Sequence, residues 1–278
     1  MQVWDMDGTQ LAVIRPVSGG FARHSHDEYV ISVNLCGREQ VRLDRSSFEV
    51  DLDEVTVYNP GQVQSCTTRT PDDVAFTCVS WYVPPAVLES LVGGPPPEFE
   101  RPVVRAAHLR SELLRAARDL DAEGDDAALV AERLTQMLLH LLDRAAAPLP
   151  TAARTTTPAP SAIPAPIAAV LDRLRSDLSS PPRLADLADA AGMSREHLVR
   201  SFTRATGCPP YAWHLQARLA EGRRRLRAGR PVAVVAHDLG FADQAHFHRH
   251  FTAAYAITPG RYRAVNIRQD GSGHLPRE

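Results

Sequence analysis

Lysine is missing from this sequence altogether: all 31 basic side chains are arginine, set against 33 acids. A bias in the coding sequence accounts for that absence, but not for where the acids fall. Residues 1 to 166 carry 14 Arg against 23 Asp plus Glu, a balance of −9, while residues 167 to 268 carry 16 Arg against 8 acids, a balance of +8. An acidic half beside a basic half points to a polyanion as the partner of the basic one. Cysteine is scarce. Cys36, Cys66, Cys78 and Cys208 form no CxxC pair and read as reduced thiols. Long apolar runs are missing too, so no segment reads as a bilayer span and no membrane partner is expected. The opening MQVWDMDGTQ has neither a basic start nor an apolar core. No signal peptide is therefore expected, and the expected compartment is the cytoplasm. At 278 residues and 44% hydrophobic, the chain has room for one large domain or two ordinary ones.

A stretch of Pro, Ala and Thr, AAAPLPTAARTTTPAPSAIPAP, divides the chain. It lacks the large apolar side chains a fold requires and reads as a linker over 146–166. Before it, over 1–145, short alternating runs such as YVISVNL, QVRLD, SFEVD and EVTVYNPG predict an antiparallel barrel or sandwich. In YVISVNL the alternation puts Tyr29, Ile31, Val33 and Leu35 on one face. Two amphipathic helices then follow. The second, from about Asp126 to Arg144, carries a broad stripe of Leu134, Met137, Leu138, Leu141 and Leu142. The stripe reads as core, as a dimer seam, or as some of each.

After the linker the chain is helical. Leu184, Leu187, Ala188 and Ala191 form a short apolar stripe that Gly192 ends. Ser194 is placed to cap the next helix, which buries Leu198 and Phe202 and turns Arg195, Glu196, Arg200 and Arg204 outward. The layout repeats 48 residues later: Val232, Val235, Ala236 and Leu239, a turn at Gly240, a cap at Asp243, then a helix burying Phe247, Phe251 and Tyr255. Gln244, Ala245, His248 and Arg249 face outward there. Two helix-turn-helix units joined by one long helix could enter successive major grooves, roughly 34 Å apart. His246 and His250 have the i, i+4 spacing of a metal pair, but no Cys or acid nearby completes a site. Roles at the surface or groove are expected for them instead.

The run SREHLVRSF, GCPPYAWHLQARL, LGFADQAHFHRHF and ITPGRYR resembles the DNA-binding domain of the AraC/XylS family of bacterial transcription regulators over residues 167–268. Two positions depart from the family pattern: Ala256 replaces a usual glycine, and Gly222 a usual alanine. A helix-interior glycine costs roughly 1 kcal/mol. HSHDEYVISVNLCG followed by NPGQVQS resembles the cupin-type barrel that precedes this domain in many AraC-family sensors. Metal-binding cupins carry two histidines, a glutamate and a later histidine. His24 and His26 match the first pair, Val30 occupies the glutamate position and Gln64 replaces the last histidine. No metal or other cofactor is therefore expected.

The resemblance implies an α+β chain of two domains: a cupin-like effector and dimerisation domain, then two helix-turn-helix units, with a disordered tail over 269–278. It implies a regulator that binds double-stranded DNA. Arg200 and Glu196, with Gln244, His248 and Arg249, are the candidate base readers, since arginine pairs bidentately with guanine and glutamine with adenine. Arg195, Arg204 and the GRRRLRAGR run read as phosphate clamps or solvated surface. His24, His26 and Gln64, with Trp81 as a stacking wall, are candidates to hold a small-molecule effector; the alternative is a barrel serving only to dimerise. A homodimer is expected, and RNA polymerase is a partner if the chain activates. The rival reading is an enzyme, either a cupin catalyst fused to a DNA-binding module or a methyl acceptor of DNA repair. The latter needs a reactive cysteine in a zinc-like cluster, which Cys36, Cys66 and Cys78 do not form.

Overall fold

The computed structural model describes residues 2–6, 8–16, 19–70, 74–121, 127–146 and 163–270. The chain divides into two compact units, Met1–Arg154 and Thr155–Glu278. Most of the expected linker, 147–162, and the tail from 271 lie outside the described residues.

The first unit opens with the hairpin of β1 (Gln2–Met6) and β2 (Thr9–Ile14). Then come β3 (Gly20–His24), β4 (Tyr29–Cys36), β5 (Arg38–Leu43), β6 (Ser46–Val50), β7 (Val55–Tyr58), β8 (Gln64–Arg69) and β9 (Thr77–Val83). Helix α1 (Pro85–Val92), β10 (Val103–Val104), α2 (Ala107–Asp121) and α3 (Ala127–Ala146) complete it. The strands form two antiparallel sheets, ordered β1-β2-β9-β4-β7-β10 and β3-β8-β5-β6. Strand parity sorts the core into two layers. Odd positions of β4 and β9, namely Tyr29, Ile31, Val33, Val79, Trp81 and Val83, pack with Leu109, Leu113 and the α3 leucines. Even positions, Val30 and Tyr82, face Val41, Leu43, Val50 and Cys66 of the other sheet. Leu35 leaves the pattern and is exposed, because the pairing of β4 with β9 slips between Asn34 and Cys36.

The broad stripe of α3 is core. Leu134, Met137, Leu138 and Leu141 are all at most 5% exposed, and Leu142 packs against the same cluster. The expectation that these side chains form a dimer seam is corrected: α3 packs against α2 as well as the edge strand β1, and meeting both uses the full width of the stripe. The hairpin β1–β2 and helix α1 carry no motif that the sequence reading singles out, whereas the ITPGRYR run opens the C-terminal helix described below.

The second unit contains α4 (Ala165–Ser176), α5 (Leu184–Ala190), α6 (Arg195–Thr206), α7 (Pro210–Arg227), α8 (Val232–Asp238), α9 (Gln244–Tyr255) and α10 (Pro259–Asp270). Helix α4 contributes Ile167, Val170, Leu171 and Leu174 to a cluster with Leu187, Leu198 and Phe202. In the second half the Phe251 ring packs against those of Phe247, Tyr255 and Tyr262, with centroids 4.7–5.6 Å apart. Each buried phenylalanine contributes roughly 1.5–3 kcal/mol relative to exposure. Gly222 of α7 lies under Phe247; a Cβ there would come within 3.0 Å of the ring. The departure from alanine thus corresponds to a close approach of α7 and α9, beyond its local helix cost.

Candidate DNA-reading helices and barrel pocket

Both turns form as short helix, glycine, cap, helix. Gly192 and Gly240 hold φ of +64° and +65°, a region that favours glycine. Ser194 Oγ accepts from His197 N at 3.2 Å, and Asp243 Oδ1 from His246 N at 2.6 Å, so each second helix begins with a side-chain cap. The second turn is also held from outside. Arg218 of α7 is buried, donates to Leu239 O at 2.5 Å and places its guanidinium 4.1 Å from the Phe241 ring centroid. A Cβ on Gly240 would fall 1.6 Å from Ser179 O, so the chain after α4 rests directly on this turn. His214 is seated there as well, its Nε2 3.0 Å from Asp177 O.

Leu198 with Phe202, and Phe247 with Phe251, anchor α6 and α9 from below. This leaves Arg195, Glu196, Arg200 and Arg204 exposed on α6, and Gln244, His248 and Arg249 exposed on α9. Gln244, Ala245, His248 and Arg249 border one shallow depression. The Glu196 carboxyl sits below the usual carboxylate range, held by its own backbone amide and the Ser194 hydroxyl, with Arg195 and Arg200 adding to the effect. The outer face of α6 therefore presents an anionic oxygen beside its arginines.

The histidine pair faces its own turn. His246 and His250 are half-buried, their Nε2 atoms 3.0 Å apart, with the Phe241 ring against His246. Burial lowers the His250 pKa, and His246, Arg249 and Arg218 add to it. Among the described residues no group of three or more His, Cys, Asp or Glu could hold a metal. Much of the arginine-rich run serves the fold. Arg223 is buried beneath the Tyr255 ring, Arg224 and Arg225 pair with Glu221, and Arg227 donates to Tyr262 Oη at 2.9 Å.

In the first unit the two sheets enclose a cavity of about 50 Å³ below a wider mouth. His24, His26 and Gln64 line it, with His24 Nε2 3.2 Å from Gln64 Nε2. Trp81 does not. It sits at an odd position of β9, 1% exposed, in the layer under the helices. The aromatic wall is formed by its neighbour Tyr82, whose ring centroid lies 5.2 Å from that of His26. Val30 lines the cavity where metal-binding cupins place a glutamate. The sequence reading missed Glu39, Tyr58, Cys66 and Cys78, all of which face the cavity. The signal for Glu39 was present, since it alternates in register with Val41 and Leu43. Burial pushes the Cys66 and Cys78 thiols up, well away from the thiolate that a methyl-accepting nucleophile needs.

The sequence pattern of the AraC-like ligand binding domain matches residues 16–142, and that of a helix-turn-helix domain matches residues 187–264. The chain is 26% identical over 238 residues to an uncharacterized HTH-type transcriptional regulator, YbfI, of Bacillus subtilis, covering 81% of each chain. It is 27% identical over 111 residues to the multiple antibiotic resistance protein MarA of Salmonella typhimurium, covering 40% of this chain and 87% of MarA. Its fold resembles that of unsaturated fatty acid bound ToxT from Vibrio cholerae, with TM-score 0.52 and 13% identity over 95% of this chain and 97% of that one. The chain belongs to the AraC family of DNA-binding transcription regulators, with an AraC-like ligand-binding domain ahead of its helix-turn-helix domain.

Proposed function

We propose that α6 and α9 are the two DNA-reading helices, and that Arg200 and Arg249 read base edges from matched positions. Each stands two residues before a buried phenylalanine, Phe202 or Phe251, and each is exposed. This equivalence carries the reading, because it gives both arginines the same outward direction from their helices. Glu196, Gln244 and His248 flank them as further base contacts, while Arg195 and Arg204 bind phosphate. The cavity lined by His24, His26 and Gln64 takes a small-molecule effector, a role supported by the match to a ligand-binding family. The chain works in the cytoplasm as a homodimer and contacts RNA polymerase where it activates. No catalysis is assigned to it. The domains are taken as 1–145 and 167–268, joined by the linker 146–166.

A fragment from residue 163 to 270 is expected to bind duplex DNA alone. Its affinity should fall steeply with salt, since each neutralised phosphate releases counterions. Footprinting of that fragment against the intact protein on the same promoter tests this. A fragment folded by circular dichroism but leaving no footprint would overturn the assignment.

A further inference from the structure

The cavity between the two sheets contains a carboxylic acid to which the DNA-binding role gives no task. Glu39 enters from β5, is buried, and takes a hydrogen bond from Cys66 Sγ at 3.2 Å. Burial holds its carboxyl above the usual range, and the Cys66 thiol offsets this only in part. Among the described residues lining the cavity there is no arginine, and the chain has no lysine. Cys66, Cys78 and the Tyr58 hydroxyl are pushed up by burial, so they face Glu39 as neutral groups. His24, His26 and Tyr82 line the same cavity, His24 meeting His26 edge-on with centroids 4.9 Å apart and His26 tilted against Tyr82 at 5.2 Å.

A buried acid sharing a cavity with aromatic rings is a chemistry that recognises an organic cation. The carboxylate supplies the counter-charge where the dielectric is low, and a tyrosine face attracts cations. An anionic ligand would meet the carboxylate head-on. Size limits the ligand as well. One water needs roughly 10–15 Å³ of such space, so the cavity of about 50 Å³ holds a head of roughly four heavy atoms, with any remainder in the mouth.

We propose that this cavity binds the primary ammonium head of a small organic amine, with Glu39 as its counter-ion and Tyr82 as its wall. The inference rests on the reading of the first unit as effector-binding and names the class of effector.

The test uses the full-length protein and three probes of one four-carbon chain length: n-butylammonium, n-butanol and butyrate. Calorimetry is expected to show butylammonium binding about tenfold to a hundredfold tighter than either of the others. Glu39→Gln, which keeps the side chain's size, is expected to erase that preference. Equal binding of all three, tighter binding of butanol or butyrate, or an unchanged preference in Glu39→Gln overturns the inference. If butanol or butyrate binds best and shifts the Tyr82 ring signals, the effector pocket stands without the amine. No binding by any probe also overturns the inference. The effector reading falls with it only if filling the cavity by Ser32→Leu leaves the DNA affinity unchanged.

Discussion

Arg200 and Arg249 differ from the arginines that serve the fold of the second unit in what surrounds them. Arg218 and Arg223 are buried and Arg225 is tied to Glu221, whereas the two reading candidates are exposed on helices anchored by phenylalanines. A bidentate pair with guanine contributes about 1–3 kcal/mol of discrimination. Arg200→Ala and Arg249→Ala are each expected to lose that amount at one base pair, while Arg195→Ala weakens all sequences alike. Binding across a library of single-base operator variants measures this, and an unchanged ranking in both mutants would refute the contacts. A second residue-scale prediction concerns Gly240. Its φ is +65°, and a Cβ would fall 1.6 Å from Ser179 O. Gly240→Ala combines backbone strain with a backbone clash, and strain alone costs on the order of 1–3 kcal/mol. Denaturant unfolding of the second unit should show a loss of at least about 2 kcal/mol. A smaller loss would mean that the segment around Ser179 moves aside easily.

At the scale of elements, the helices of the second unit were largely legible because their information is local. Apolar spacing, a glycine with positive φ and a capping Ser or Asp all lie within one turn of each other, as at Gly192–Ser194 and Gly240–Asp243. The sheets were less legible, because strand parity depends on a register set by distant partners. Trp81 and Tyr82 are adjacent in sequence, and the pairings Ile31 with Trp81 and Val30 with Tyr82 decide which one faces the cavity. Glu39 was passed over for a similar reason: a charged residue beside Arg38 looks like turn surface until its alternation with Val41 and Leu43 is followed inward. The packing of α7 against the turn after α4 was not legible at all, and it carries a pH dependence. Burial lowers the His214 pKa below its ordinary 6.5, outweighing the carbonyl of Asp177. Burial likewise lowers His250. For a histidine depressed in the folded state, full stability is present above about 6.5. It is lost as pH falls from there through the folded value, because the unfolded chain takes up the proton first. The urea midpoint of the helical fragment is therefore expected to drop between pH 7.5 and 5.5, and His214→Gln should reduce the drop. A midpoint that holds or rises on acidification would contradict this assignment.

At the scale of the whole molecule, the question is how two copies meet. The broad stripe of α3 is taken up by the first unit's own core, so it is not the seam. What the helix leaves outside is narrower. Leu129 and Leu139 are 52% and 45% exposed, and at 100° per residue they fall on one side of the helix with Glu132, Gln136 and His140, also exposed. The two leucines stand about 15 Å apart along the helix, and lone exposed leucines are ordinary on a protein surface, so sedimentation rather than exposure decides whether copies meet here. We propose this outer face of α3 as the place where the homodimer forms. It matters for function because a homodimer would bring four candidate reading helices to the DNA, and an effector can change binding only by favouring one arrangement of the protein over another. Leu129→Glu combined with Leu139→Glu is expected to give a folded monomer in sedimentation that binds a single half-site and loses two-site affinity. Leu138→Glu serves as the contrast. It buries a charge in the core and should unfold the first unit outright, since an unpaired buried charge is far costlier than a surface one. A double mutant that remains dimeric, or a wild type that sediments as a monomer at every concentration, would remove α3 from the interface. A folded, monomeric Leu138→Glu would instead return the seam to the stripe that this structure places in the core.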